Sequence, residues 1–360
     1  MDLCHTNAPG HVTTNASRLP DPQREGPGME QLVGGQRELR EYAEQIGTPC
    51  EVEDPVKVRV GLGLAAALRA RDLWTVADTS EAVGLDSLWF AERLAGDQLA
   101  PMAAMAAVAA RTSRLRFGSS ALILPGRDPV RLAKELATID ELSGGRLIPV
   151  FGLVAPGSGD RELLRVPEGA AGRWADEALA VMRRLWAGER VDHSGEFFTY
   201  TGLRVGPRTT DSPPMDVWTG GHSAAAVSRA GRLADGWLPS FVPPQQYAGL
   251  ARQVIAAAGD AGRGWDIGHF GMVVPYVPRG SEDAAERPLA VLARRVRDAE
   301  VEDVVVTDPD RLLEQLSRYV EAGASKFVAL PVVAPADWVE EITWLQESVA
   351  LPLRGLSLPG

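Results

Sequence analysis

Cysteine is almost missing from this chain. Cys4 and Cys50 are the only two in 360 residues, and both lie outside its patterned part. They make no Cys-x-x-Cys pair and no zinc set, so a reducing cytoplasm is expected rather than a disulfide scaffold. The five histidines are scattered, with none at i, i+4 spacing, and no structural metal is expected. Lysine occurs only as Lys57, Lys134 and Lys326; the arginines form no cluster, and the formal net charge is −11. That balance offers nothing to nucleic acid or to an anionic membrane. No apolar run approaches the ~18 residues of a membrane span, and the N-terminus has no apolar signal core. Gly-x-Ser-x-Gly, Walker and His-Glu-x-x-His motifs are also missing, which leaves hydrolase and nucleotidase chemistry without its residues.

What remains is ordinary for a globular protein: 45% apolar and 24% charged residues. Residues 1–55 are rich in Pro, Gly, Asn and Gln and read as a disordered extension with one short helix at 30–46. Met29 offers an alternative start. Residues 56–350 read as one folded unit and 351–360 as a tail. From Val56 onward, strand-like and helix-like segments alternate. Strands are expected at Val56–Gly63, Ser87–Ala91, Arg114–Leu124, Arg146–Gly152, Met215–Thr219, Ala234–Pro239, His269–Val274 and Lys326–Pro331. Helices follow most of them, with Asp128-Pro129 and Asp308-Pro309 as N-cap signals. Longer excursions come after strand four, with a hairpin turning at Ser194-Gly195, and after strand seven. Eight such repeats without a Gly-x-Gly-x-x-Gly fingerprint point to a (β/α)8 TIM barrel rather than an open sheet. In a barrel, chemistry gathers at the C-terminal ends of the strands. That rule sets Gly63, Glu92, Ser120, Gly152, Gly220 and Trp237 around one mouth.

Met215–Val227 has the make-up of a phosphate cradle: a short strand, Gly220-Gly221, the N-cap residue Ser223 and an alanine-rich helix. Glycine lets the backbone approach a ligand, and the first helical N–H groups have no intrahelical acceptor. A chain-turning junction has the same signature. Glu92 is the candidate for proton handling, since a carboxyl beside a flat apolar ring resists ionisation. The competing role is a salt bridge to Arg93 or another rim arginine. His222 is expected to contribute mainly its amide. Trp89, Phe90 and Trp237 are candidates to line a ring pocket, while Trp174 and Trp186 read as helix-packing anchors.

Three ordered stretches carry a family resemblance: Leu115–Arg146, Asp216–Ala225 and Gly231–Pro239. Through them, residues 56–345 resemble the luciferase-like monooxygenase superfamily. Leu88–Arg93, Gly159–Glu162 and His269–Tyr276 make the chain most similar to an actinobacterial branch that uses deazaflavin F420. The resemblance implies a bacterial-luciferase-like barrel with a flavin or deazaflavin in its mouth. It also implies a non-prolyl cis peptide at Ser120-Ala121, after Ser119, backing the ring. Gly152, Leu153 and Val154 would flank the cofactor tail, and the amides of Gly220, Gly221, His222 and Ser223 would hold its phosphate, with Gly63 at the first strand end. The chain departs from the pattern at Ala91-Glu92, where an Asp-His pair is usual, and at His222, where asparagine is usual. The expected activity is F420-dependent hydride transfer to or from a small-molecule substrate. FMN-dependent monooxygenation and a non-catalytic cofactor-binding protein are the alternatives, and a homodimer is compatible with each.

Overall fold

The computed structural model describes residues 34–51, 57–64, 68–154, 159–207, 215–293, 296 and 299–354. Strand positions one and two are β1 (Arg59–Leu64) and β2 (Ser87–Phe90). Position three is split into β3 (Arg116–Ser119) and β4 (Leu122–Ile123) by a cis peptide at Ser120-Ala121. Position four is split at Pro149 into β5 (Leu147–Ile148) and β6 (Val150–Gly152). Then come β7 (Trp218–Thr219), β8 (Gly236–Trp237), β9 (Gly271–Tyr276) and β10 (Lys326–Pro331). All pair in parallel, in the orders β9-β10-β1-β2-β3-β5 and β8-β7-β6-β4. Parallel bridges Trp237–Phe270 and Ser240–Val273 join position six to position seven. Each strand position therefore lies beside its neighbours in the chain, and position eight lies beside position one, as in a (β/α)8 barrel.

Alternation along the strands sorts side chains into two layers. Trp89, Ile148, Val150, Trp218, Leu238, Val273 and Val328 form one packed cluster, which is the barrel interior. Phe90, Phe117, Phe151, Val217, Met272 and Phe327 belong to the separate layer under the helices. Trp89 is fully buried because its neighbours carry no side chain. A Cβ on Gly61 would lie 2.7 Å from its indole nitrogen, and one on Gly118 would lie 2.9 Å from its ring. That indole nitrogen donates to Ser87 Oγ at 2.9 Å. Trp89 is thus a core filler and not the pocket wall expected of it.

The helices start and stop where the sequence marks them. Helix α1 (Pro129–Ser143) is capped by Asp128, whose carboxylate accepts from the Arg131 amide at 2.9 Å, and it ends at Gly144 with φ 67°. The excursion after position four contains a 3-10 turn at Gly159–Leu163, helix α2 (Ala171–Trp186) and the hairpin Val191–Ser194/Thr199–Leu203. Trp174 packs on Phe197 and Phe198, and the Trp186 indole donates to Ala133 O at 3.0 Å, so both are packing anchors. The excursion after position seven holds the helices Glu282–Ala293 and Val301–Val304.

The short helix expected at 30–46 is present over Gly34–Gln45, with Leu39 and Ala43 fully buried, and Cys50–Glu51, within the stretch expected to be disordered, pairs with Trp265–Asp266. Residues 1–33 and 52–55, which complete the expected extension, and Val56, the expected start of the barrel, lie outside the described residues. At the other end, Leu351–Arg354 is helical and buries Leu353 completely, so the expected tail begins later. Among the described residues, no helix is long and apolar enough to cross a membrane.

Candidate functional site

The C-terminal strand ends converge on a floor built from small side chains. Gly63 is buried, and a Cβ there would press on Leu330 Cδ1 at 2.7 Å and Val328 Cγ1 at 3.0 Å. A Cβ on Gly152 would come to 3.1 Å from the Ala121 methyl. Ala121 and Leu330, partly buried, rest directly on the interior cluster. Position three leaves the sheet at this point: the Ser120 amide donates to Phe90 O at 2.9 Å, and the cis bond follows. Ser119 is fully buried, its hydroxyl donating to Val150 O and accepting from Val150 N, both at 2.9 Å. It is a clip between strands, so its hydroxyl is not free for a ligand. The Ser120 hydroxyl is different: it is buried and has no hydrogen-bond partner.

Glu92, two residues past β2, reaches across to position three. One carboxylate oxygen accepts from the Ile123 amide at 2.7 Å, and the other is bonded to the Arg127 guanidinium. Arg127 also donates to Ile123 O at 3.0 Å. Only 6% of the Glu92 side chain is exposed. The rim salt bridge is therefore present, with Arg127 as its partner, while Arg93 pairs with Asp160 at 3.8 Å. Arg127 was missed by sequence reasoning, although its place just before the Asp128-Pro129 cap fixes it at the same rim.

The Gly-Gly turn follows β7. The Gly220 amide donates to Phe151 O at 2.9 Å and is spent in the sheet, which corrects its expected part as a phosphate donor. Gly221 has φ 91°, and Ser223 caps helix α3 (Ala224–Leu233) by accepting from the Ala226 amide at 3.3 Å. Gly221, His222, Ser223, Ala224 and Ala225 are exposed, and their amides find no acceptor among the described residues. Exposed donors at the positive end of a ten-residue helix suit an anion. The backbone needs glycine at 221 twice over, for its φ and because a Cβ would meet the Ala226 Cβ at 3.0 Å. Trp237 is fully buried and packs on Tyr247, so it lines no pocket. Its indole instead donates to Gly221 O at 2.9 Å and fixes the turn. Thr219 Oγ1, just before the turn, is buried without a partner. Leu153 is exposed and Val154 partly buried beyond β6. Open amides, a flat floor and unpartnered hydroxyls at Ser120 and Thr219 fit a ring cofactor with a phosphate-bearing tail.

The fold and site together are those of a parallel eight-position α/β barrel with a small-residue floor and a turn of exposed amides at its mouth. The family model described as luciferase-like monooxygenase matches residues 54–330, and the chain belongs to that family of oxidoreductases. An uncharacterised protein of Mycobacterium tuberculosis (strain ATCC 25618 / H37Rv) is 34% identical over 158 residues, which is 44% of this chain and 54% of that protein. The chain thus spans about half the length of that relative. F420-dependent glucose-6-phosphate dehydrogenase 1 of Rhodococcus jostii (strain RHA1) is 25% identical over 330 residues, 80% of this chain and 95% of that protein. Among solved structures, an F420-dependent secondary alcohol dehydrogenase in complex with an F420-acetone adduct is similar in fold (TM-score 0.71, 18% identity, 83% of this chain and 99% of that chain). So is a type II Baeyer-Villiger monooxygenase of Pseudomonas putida in complex with FMN (TM-score 0.60, 18% identity, 82% and 98%).

Proposed function

We propose that this chain is an F420-dependent oxidoreductase acting on a small organic substrate. The carrying observation is the near full-length match to F420-dependent relatives, and the open turn at 221–225 is where the phosphate of the cofactor tail would lie. When bound, deazaflavin supplies hydride exchange at its C5 carbon and does not support the oxygen chemistry of a flavin. The chain's own residues supply position and protons. The amides of Gly221, His222 and Ser223 hold the tail, with Gly152, Leu153 and Val154 beside it. Gly63, Ser120, Ala121 and Gly152 leave a flat seat for the ring. Glu92 handles the substrate proton, and its bonds to Ile123 and Arg127 fix it at the seat's edge.

The rival reading, an FMN-dependent monooxygenase, has the same floor and the same phosphate turn, and a solved FMN-bound protein shares its fold. The two separate in one assay. Protein mixed with reduced F420 and a panel of ketones should oxidise the cofactor only when a ketone is present. Oxygen uptake with reduced FMN, coupled to substrate oxygenation, would overturn the F420 reading.

A further inference from the structure

The excursion after position four returns over the mouth and is tied down at two points. Asp160, 3% exposed, lies in the turn Gly159–Leu163. One of its carboxylate oxygens accepts from both the Leu94 amide at 3.1 Å and the Ala95 amide at 2.9 Å, and the other lies 3.8 Å from Arg93. Further on, Leu164 and Val166 pack over the rim loop after position three: a Cβ on Gly126 would lie 3.6 Å from Leu164 Cδ2 and 3.8 Å from Val166 Cγ2. The two ties bracket the corner where Glu92 meets Ile123 and Arg127. A buried carboxylate bonding two consecutive amides more than sixty residues away is a tie and not a surface contact.

We propose that Asp160 is a positioning residue for substrate binding, holding the 159–166 segment as a fixed wall above the Glu92 corner. The substrate portion meeting that wall is apolar. Leu94 and Leu163, on the two segments that Asp160 joins, are 41% and 55% exposed and offer apolar surface at this rim. The ligand class is therefore an apolar ketone or alcohol rather than a sugar phosphate. The inference rests on the proposed function, because it places the substrate over a cofactor bound at the same mouth.

The two variants separate the tie from the charge. Asp160→Asn keeps an oxygen for the Leu94 and Ala95 amides, whereas Asp160→Ala removes it. Protein loaded with F420 is titrated with 2-octanone and with glucose 6-phosphate, following cofactor fluorescence, and amide exchange is read at 94 and 95. The wild type is expected to respond to 2-octanone at lower concentration than to glucose 6-phosphate. Asp160→Ala should weaken 2-octanone about tenfold and speed exchange at 94–95, as expected for lost hydrogen bonds to a charged acceptor. Asp160→Asn should stay within about threefold of wild type on the same scale. F420 affinity should be unchanged in both variants. Faster exchange in Asp160→Ala with unaltered 2-octanone binding would reduce Asp160 to a structural tie and overturn the inference. A preference for glucose 6-phosphate, or no response to 2-octanone, would overturn it as well. Wild-type protein that fails to bind F420 would instead count against the proposed function.

Discussion

Gly221 and Glu92 each make a distinct prediction. Gly221 holds φ 91° and faces the Ala226 methyl. Gly221→Ala forces a Cβ into the left-handed region, at about 1–2 kcal/mol, and moves the amides that follow. Cofactor affinity should fall about tenfold by fluorescence titration, and the same strain should lower the melting temperature of the free protein. Glu92 has both oxygens engaged, so its glutamine replacement turns one accepting position into a donor facing Arg127 or the Ile123 amide. We expect Glu92→Gln to lower turnover about a hundredfold while cofactor affinity stays within a few-fold, the pattern of a lost proton-transfer group. Unchanged turnover would leave Glu92 with the salt bridge alone.

Among the elements, local signals were enough for some and insufficient for others. Lys326–Pro331 runs over the same residues that the sequence marks, because it is a compact apolar run preceded by a turn. Asp128 caps its helix as its Asp-Pro context implies. Asp128→Ala should therefore cost about 1 kcal/mol, read as a lower melting temperature with cofactor binding retained. Other features depend on long-range contacts that no local pattern encodes. The expected strand Met215–Thr219 shrinks to Trp218–Thr219, since pairing to β6 begins only at Val150. Trp89 and Trp237 look alike in sequence, yet one fills the barrel and the other braces the Gly221 carbonyl from the helix side. Their roles follow from which neighbouring strand offers a glycine and which helix lies behind. The Asp160 tie joins segments more than sixty residues apart, and the sequence offers only an unexplained Gly-Asp-Arg-Glu.

For the whole molecule, the two ends of the barrel divide stability from function. At the N-terminal end, Lys326 is 3% exposed and bonded to Asp86 at 3.0 Å, with Ser87 also donating to that carboxylate at 2.7 Å. Burial pushes the Lys326 ammonium down from 10.5 to about 8, with Asp86 opposing only in part. Between those values the unfolded chain binds a proton that the folded chain releases. This group's contribution to stability therefore rises from pH 8 toward 10.5 and is lost as pH falls through about 8. Burial also raises the Tyr247 and Tyr276 phenols, so their contribution is lost above about pH 10. The melting temperature of the wild type relative to Lys326→Met should accordingly increase between pH 7.5 and 9.5. Lys326→Met itself should cost about 3 kcal/mol by leaving Asp86 buried without its cation, and adding Asp86→Asn should recover part of that loss.

At the mouth end, the turn at 221–225 and the flat floor would accept either of two ring cofactors. A fluorescence titration of the purified protein against F420 and FMN decides between them. We predict saturation by F420 at a lower concentration than FMN. Tighter binding of FMN would contradict the assignment of this barrel to deazaflavin chemistry.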